Sequence, residues 1–142
     1  MHTVSTTIDI DAPATRIWEI LTDTAAYSEW NPFIIALDGA LDVGSRIAVT
    51  IAPPGAKKQN FTPTVTEVDP GRRVVWLGRL GVRGIFDGEH SFEVAALGPA
   101  SSRFTQSERF SGLLVPVFRG LLTSTEAGFT AMNSALATRA TA

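Results

Sequence analysis

Apolar and polar positions change rhythm several times along the chain. Residues 3–10, Thr-Val-Ser-Thr-Thr-Ile-Asp-Ile, are rich in β-branched side chains and predict a strand. Asp11-Ala12-Pro13 ends it, and proline suits the first turn of a helix, where a missing N–H costs nothing. Ile17, Ile20 and Leu21, with Trp18 beside them, then follow helical spacing. A second short helix is expected from Thr24 to Trp30. Asn31-Pro32 stops it, because the residue before a proline resists the α conformation. The middle of the chain alternates. Ile47, Val49 and Ile51 share one face of a strand over Arg46–Ala52, and Pro53-Pro54-Gly55 makes the turn. Strands are predicted over Phe61–Val68, Arg73–Leu80, Ile85–Leu97 and Ser102–Phe110. Their separators are Asp69-Pro70-Gly71, a loop at Gly81–Gly84 and a Gly98-Pro99 turn. Successive strands joined by such short turns imply an antiparallel sheet.

The last stretch, about 115 to 139, has a different period. Phe118, Leu121, Leu122, Thr125, Phe129, Met132, Asn133 and Leu136 recur at intervals of three and four, which is one face of an amphipathic helix. At about 1.5 Å per residue such a helix spans roughly 37 Å. Its apolar face needs a large partner, and the sheet is the only one the sequence offers.

Composition narrows the function classes. The chain has 142 residues, 44% of them hydrophobic and 18% charged, and no cysteine. That is enough for a core without staples, and it excludes disulfide frameworks, thiolate nucleophiles and Cys-based metal sites. Without repeats or linker-like tracts, residues 1–142 read as one domain. Met1-His2-Thr3-Val4-Ser5 does not resemble a secretory signal. The longest apolar run, 112–118, contains Pro116 and is followed by Arg119, so no membrane span is expected and the expected location is cytoplasmic. The formal net charge is −2. Arg72, Arg73, Arg79 and Arg83 are the one basic concentration, with Arg73, Arg79 and Arg83 sharing a parity. They read as a solvated sheet face in preference to a phosphate stripe, so no nucleic-acid partner is expected.

A set of local motifs accompanies this order of elements. Ile10-Asp11-Ala12-Pro13 precedes Ile17-Trp18 and Trp30-Asn31-Pro32. Val68-Asp69-Pro70-Gly71 and Val75-Trp76 come later, followed by Gly88-Glu89-His90-Ser91-Phe92 and Glu108-Arg109-Phe110-Ser111-Gly112. Over essentially its whole length the chain resembles the START-like helix-grip superfamily, also called SRPBCC. That superfamily includes polyketide cyclases and dehydrases, lipid-transfer domains, pollen-allergen-like proteins and heat-shock ATPase activators. The resemblance implies an α+β fold in which a seven-stranded antiparallel sheet curls around the C-terminal helix, with two short helices after the first strand. It also implies a cavity between sheet and helix for a hydrophobic ligand. The superfamily has no universal catalytic residue, so the fold does not name the function.

Parity along strands sorts the candidate chemistry. Phe86, Gly88, His90, Phe92 and Val94 share one face of their strand, and Phe104, Gln106, Glu108 and Phe110 share one face of the next. Aromatic content marks both faces as inner. His90, Gln106 and Glu108 thus enter an apolar interior, where polar groups must pair with each other, a buried water or a ligand. The Gly98-Pro99 turn sets His90 opposite Ser107 or Glu108, and parity selects Glu108. His90 and Glu108 are therefore the candidate acid/base pair, histidine being the side chain that titrates near neutral pH. The candidate ligand-binding set is Trp76, Phe86, His90, Phe92, Gln106, Glu108, Phe110, Phe118, Leu122, Thr125 and Phe129. Thr125 has the alternative of bonding back to its own helix, and Asn133 reads as a rim or structural contact. Trp18 and Trp30 read as residues that fix the small helices to the sheet.

Only His2 and His90 are histidines, and no metal-binding spacing, dinucleotide fingerprint, P-loop or Gly-x-Ser-x-Gly elbow occurs, so no cofactor and no metal are expected. The glycine-rich stretch from Gly78 to Gly84 reads as a loop at the cavity mouth or a hairpin turn. Three functions stay open. The first is binding of a small hydrophobic molecule such as a lipid, polyketide or aromatic metabolite. The second is an aromatase/cyclase- or dehydratase-like enzyme using His90 and Glu108. The third is a protein-interaction module, which requires a filled core and an exposed apolar patch. Oligomeric state is not legible.

Overall fold

The computed structural model of the chain describes residues 1–79 and 84–142. β1 (His2–Ile10) leads into α1 (Ala14–Thr22), a single 3-10 turn at Thr24–Ala26 and α2 (Tyr27–Trp30). The strands β2 (Ile34–Asp38), β3 (Ala48–Ile51), β4 (Gln59–Phe61), β5 (Thr64–Asp69), β6 (Arg73–Arg79), β7 (Asp87–Gly98) and β8 (Ser101–Ser111) follow. A 3-10 turn at Val115–Phe118 then precedes α3 (Arg119–Thr141). No helix among the described residues is long and apolar enough to cross a membrane.

The expected single seven-stranded sheet is replaced by two antiparallel sheets. One has the order β1-β8-β7-β6-β5 and the other β2-β3-β4. The physical cause of the division is Pro63. Val49 faces Phe61 and Arg46 faces Thr64 in one unbroken register, so β4 and β5 continue a single line of chain. At the crossing point Ile47 N–H donates to the Pro63 carbonyl at 3.0 Å, but proline has no N–H to return the bond, and the ladder lapses there. Val65 N–H donates to Ser45 O at 2.9 Å just beyond it, which holds both sheets on one curl. The predicted strand Phe61–Val68 is thus two strands. β2 is an addition that the alternation did not reveal.

Asn31 launches β2. Its side-chain Oδ1 accepts from the N–H groups of Phe33 and Ile34, each at 2.9 Å, so it turns the chain as well as ending α2. Tyr27 ties this segment to α1. It is fully buried, and its hydroxyl donates to the Leu21 carbonyl at 2.5 Å. Burial pushes its phenol far above the ordinary tyrosine range, with the nearby Asp23 charge adding to the effect. Tyr27→Phe removes this bond and leaves a buried carbonyl short of its donor. The expected loss is about 1–2 kcal/mol in urea titration. A change below about 0.3 kcal/mol would show that the bond has no net value.

α3 begins at Arg119, four residues later than its periodicity predicts, because the chain around Pro116 takes the tighter 3-10 turn. Its buried face is Leu122, Thr125, Gly128, Phe129, Met132, Asn133 and Leu136. That face packs against β1 and β8 and, on its other flank, α1. Phe92, Phe104, Phe129, Met132 and Leu136 are fully buried in the core. The outer sheet face is charged. Arg73 pairs with Glu67 and Glu93, Arg72 with Asp69, and Arg103 with Asp9. The hydrogen bond from Arg103 holds the Asp9 carboxyl below its ordinary range. Each described arginine of the 72–83 concentration thus faces a carboxylate, while Arg83 lies outside the described residues.

Candidate active site or ligand cavity

The inner faces of β6, β7 and β8 are set by alternation, and the structure keeps the parity read from the sequence. β7 and β8 pair with His90 directly opposite Glu108, and a bulge between Ala96 and Gly98 is confined to the turn end. The side chains meet, with His90 Nδ1 3.2 Å from Glu108 Oε1. On the other side, β6 places Trp76 opposite His90. The indole and imidazole stack with centroids 4.7 Å apart and planes 7° from parallel. Phe92 and Phe129 stand edge-on to the same imidazole at 4.9 and 5.3 Å. His90 is thus boxed by aromatic rings, and its Nε2 is buried without a hydrogen-bond partner.

Beside this pair lies a cavity of ≈ 80 Å³ between the curled strands and α3. Trp76 and Gly78 of β6, Gly88 and His90 of β7, and Glu108 and Phe110 of β8 form one wall, with Phe86 just ahead of β7. Val49 and Ile51 of β3, with Phe33 and Ile34, form the opposite wall. Phe61 and Pro63 close one side, and Leu121 and Thr125 of α3 cover it. Thr125 spends its hydroxyl proton on the Leu121 carbonyl at 2.8 Å, so it presents little free polarity. Arg79 also lines the cavity. Its side chain is 42% exposed, which marks the solvent side, and its Nε is 3.7 Å from Asp87 Oδ1. Gly84 N–H donates to the other Asp87 oxygen at 3.2 Å. The rest of the expected glycine-rich mouth, Leu80 to Arg83, lies outside the described residues.

Of the ligand-binding set read from sequence, the structure brings Trp76, Phe86, His90, Glu108, Phe110 and Thr125 together on the cavity wall. Phe92 and Phe129 lie behind it, in the core against His90. Phe118 packs on Phe86 at 4.7 Å between centroids. Leu122 faces a different, wider and more open groove of ≈ 830 Å³ beside His2, Leu113 and Pro116. Gln106 points away from the cavity. Its Nε2 donates to Asn133 Oδ1 at 3.1 Å, and Asn133 Nδ2 donates to Thr6 Oγ1 at 2.9 Å. This chain of amides pins α3 to β8 and β1, and it leaves Gln106 Oε1 buried without a hydrogen-bond partner.

Sequence reading missed the far wall and the floor. Phe33-Ile34-Ile35 is an apolar run after a turn signal, and Val49 and Ile51 already shared a face, so signals existed for both. The floor is a different matter. Gly78 and Gly88 face each other across β6 and β7, and the cavity is where their side chains are missing. Among the described residues, no group of three or more His, Cys, Asp or Glu side chains comes together to hold a metal ion.

The comparisons agree with this architecture. A START superfamily protein from Mycobacterium smegmatis is 23% identical, covers 99% of this chain and 97% of its own, and superposes with a TM-score of 0.76. The Zhui aromatase/cyclase of a Streptomyces species is 16% identical over 98% of this chain and 93% of its own, with a TM-score of 0.78. Norcoclaurine synthase from Thalictrum flavum is 17% identical over 96% and 91%, with a TM-score of 0.72. At such identities these likenesses establish the START-like fold alone. A search of curated proteins finds no match. A family model described as polyketide cyclase / dehydrase and lipid transport matches residues 1–141, nearly the full length. With that match and the helix-grip architecture, the chain belongs to the polyketide cyclase / dehydrase and lipid transport family.

Proposed function

We propose that this protein binds a small, largely apolar molecule in the cavity between its curled sheet and α3. The observation that carries the reading is an apolar-walled chamber whose interior polar groups are the His90–Glu108 pair. Ligand sites commonly combine apolar walls with a few placed polar groups in this way. Size limits the ligand. The chamber is ≈ 80 Å³, whereas a cavity of about 150 Å³ accepts benzene and drug-sized ligands occupy roughly 300–1,000 Å³. A single ring or the end of a chain therefore fits with modest wall movement, and anything longer projects past Arg79 toward solvent.

The test uses an environment-sensitive anilinonaphthalene dye and its displacement by single-ring aromatics. Native protein is expected to bind the dye. Gly78→Val, which puts a branched side chain into the chamber, is expected to weaken binding at least tenfold while keeping a cooperative melt. Absence of native-state binding, or unchanged binding in Gly78→Val, counts against the reading.

One observation favours a second reading, an enzyme of the cyclase or dehydratase kind. A histidine whose Nδ1 is held by a carboxylate is an oriented imidazole, the arrangement general acid/base chemistry uses. Replacing both His90 and Glu108 with Gln separates the two readings. Loss of turnover with binding retained favours the enzyme, and loss of binding favours the carrier.

A further inference from the structure

We infer that Glu108, and not His90, is the group that meets the ligand, and that it selects an apolar molecule bearing a neutral hydrogen-bond donor, a hydroxyl. The inference rests on the cavity-binding reading and goes beyond it by assigning the ligand's polar chemistry.

Access separates the two residues. The His90 side chain is 5% exposed and the Glu108 side chain 20%. One face of the imidazole is covered by the Trp76 indole, and the rings of Phe92 and Phe129 stand against it. Its Nδ1 is engaged with Glu108, and its Nε2 is sealed in the protein. A ligand in the chamber reaches the carboxylate first. His90 is then a positioning residue, which fixes one oxygen of that carboxylate and leaves the other to the cavity.

Gly88 makes the arrangement possible. A Cβ on Gly88 would collide with Glu108 Oε2. The backbone at Gly88 is not left-handed. The position therefore uses the missing side chain and not the backbone freedom of glycine. Oε2 lies over bare main chain, with Gly78 opposite Gly88 on one side and Phe110 opposite it on the other. Any side chain at Gly88 would push the carboxylate out of its notch and off His90.

The chemistry of the exposed oxygen then chooses the ligand. A carboxylate only accepts hydrogen bonds, and each oxygen has more than one lone-pair site. Oε1 is occupied by His90, and Glu108 lines a cavity whose walls are mainly apolar, where an unmet acceptor is costly. A hydroxyl donates into it. An ether or ketone brings a second acceptor against the first and leaves both unsatisfied. A cationic amine also donates, but it must give up its hydration to enter a chamber whose walls are mainly apolar, a cost that a neutral hydroxyl does not carry.

The probes are 4-propylphenol and its methyl ether, 4-propylanisole, titrated into wild-type protein and read by amide chemical shifts. The phenol is expected to bind at least tenfold more tightly. In Glu108→Met, which removes the acceptor at similar volume, the ratio is expected to fall to about twofold or less. In Gly88→Ala the ratio is expected to narrow and the His90 ring nitrogen shifts to change, because the carboxylate is displaced while remaining in the chain. Equal or tighter binding of the ether by wild-type protein overturns the inference, as does a ratio that survives in Glu108→Met. The wild-type ratio decides even if a variant does not fold. Binding of neither probe removes the cavity reading together with the inference, whereas equal binding of both removes the inference alone.

Discussion

Phe129→Ala is expected to destabilise the protein by about 3–5 kcal/mol, the range for removing a phenyl ring from a closed core. Phe129 has no exposed surface and sits midway along the buried face of α3. Its ring meets Phe33 edge-on at 5.6 Å and the His90 imidazole at 5.3 Å. It therefore joins the helix to the far cavity wall and to the site at once. The apolar area lost is only part of the cost. Phe33 and His90 are held from several sides, so the space cannot collapse freely, and a retained void adds to the loss. Urea titration with an unchanged slope measures the effect. A loss below about 1 kcal/mol would show that α3 is not what the sheets close upon.

The elements that sequence revealed best are those where one physical rule acts alone. The α3 face follows a period that only a helix supplies, and its buried residues match the spacing read from Phe118 to Leu136 except for Gly128. The β7–β8 pairing followed from a turn signal and parity. Its bulge falls at the turn end, between Ala96 and Gly98, so it does not disturb the register at His90 and Glu108. Other parts depend on two rules in competition. Phe61 to Val68 reads as one strand by composition, yet Pro63 withholds one ladder bond and divides it. Ile34–Asp38 is a short run with little alternation after a proline, and its strand character comes from the partner β3 and the Asn31 turn.

The candidate site was legible in its polar pair and not in its volume. His90 and Glu108 stood out as polar residues on aromatic faces. Gln106 met the same criterion, and only the three-dimensional path of α3 shows that its amide nitrogen is taken up by Asn133. The cavity depends on absences. Gly78 and Gly88 leave it open, and a glycine in a strand reads from sequence as a bulge or weak point. Which of these is a floor is decided by how far the sheet curls, which brings Phe33 and Val49 across from them. That is long-range information, and local pattern carries none of it.

Gly128 poses the same problem inside a helix, and here the two rules predict opposite signs. Helix propensity alone says that Gly128→Ala stabilises by about 1 kcal/mol. Space says the reverse, because a Cβ at Gly128 would enter the ring of Phe33. Phe33 is 3% exposed, braced against Phe129, and part of the cavity wall. The chamber is the open space beside its ring. Overpacking of this kind costs about 1–3 kcal/mol, which exceeds the propensity gain, so net destabilisation is expected. Gly120, in the first turn of the same helix, supplies the internal comparison, since nothing lies within 4 Å of its Cβ position. Gly120→Ala is expected to be neutral or to stabilise by up to about 1 kcal/mol. Urea titrations of the two variants measure both signs, and dye binding reports whether the displaced Phe33 ring narrows the chamber. A stabilising Gly128→Ala with dye affinity unchanged would mean that the Phe33 ring yields without cost, and that the close approach of α3 to the cavity wall does not define the site.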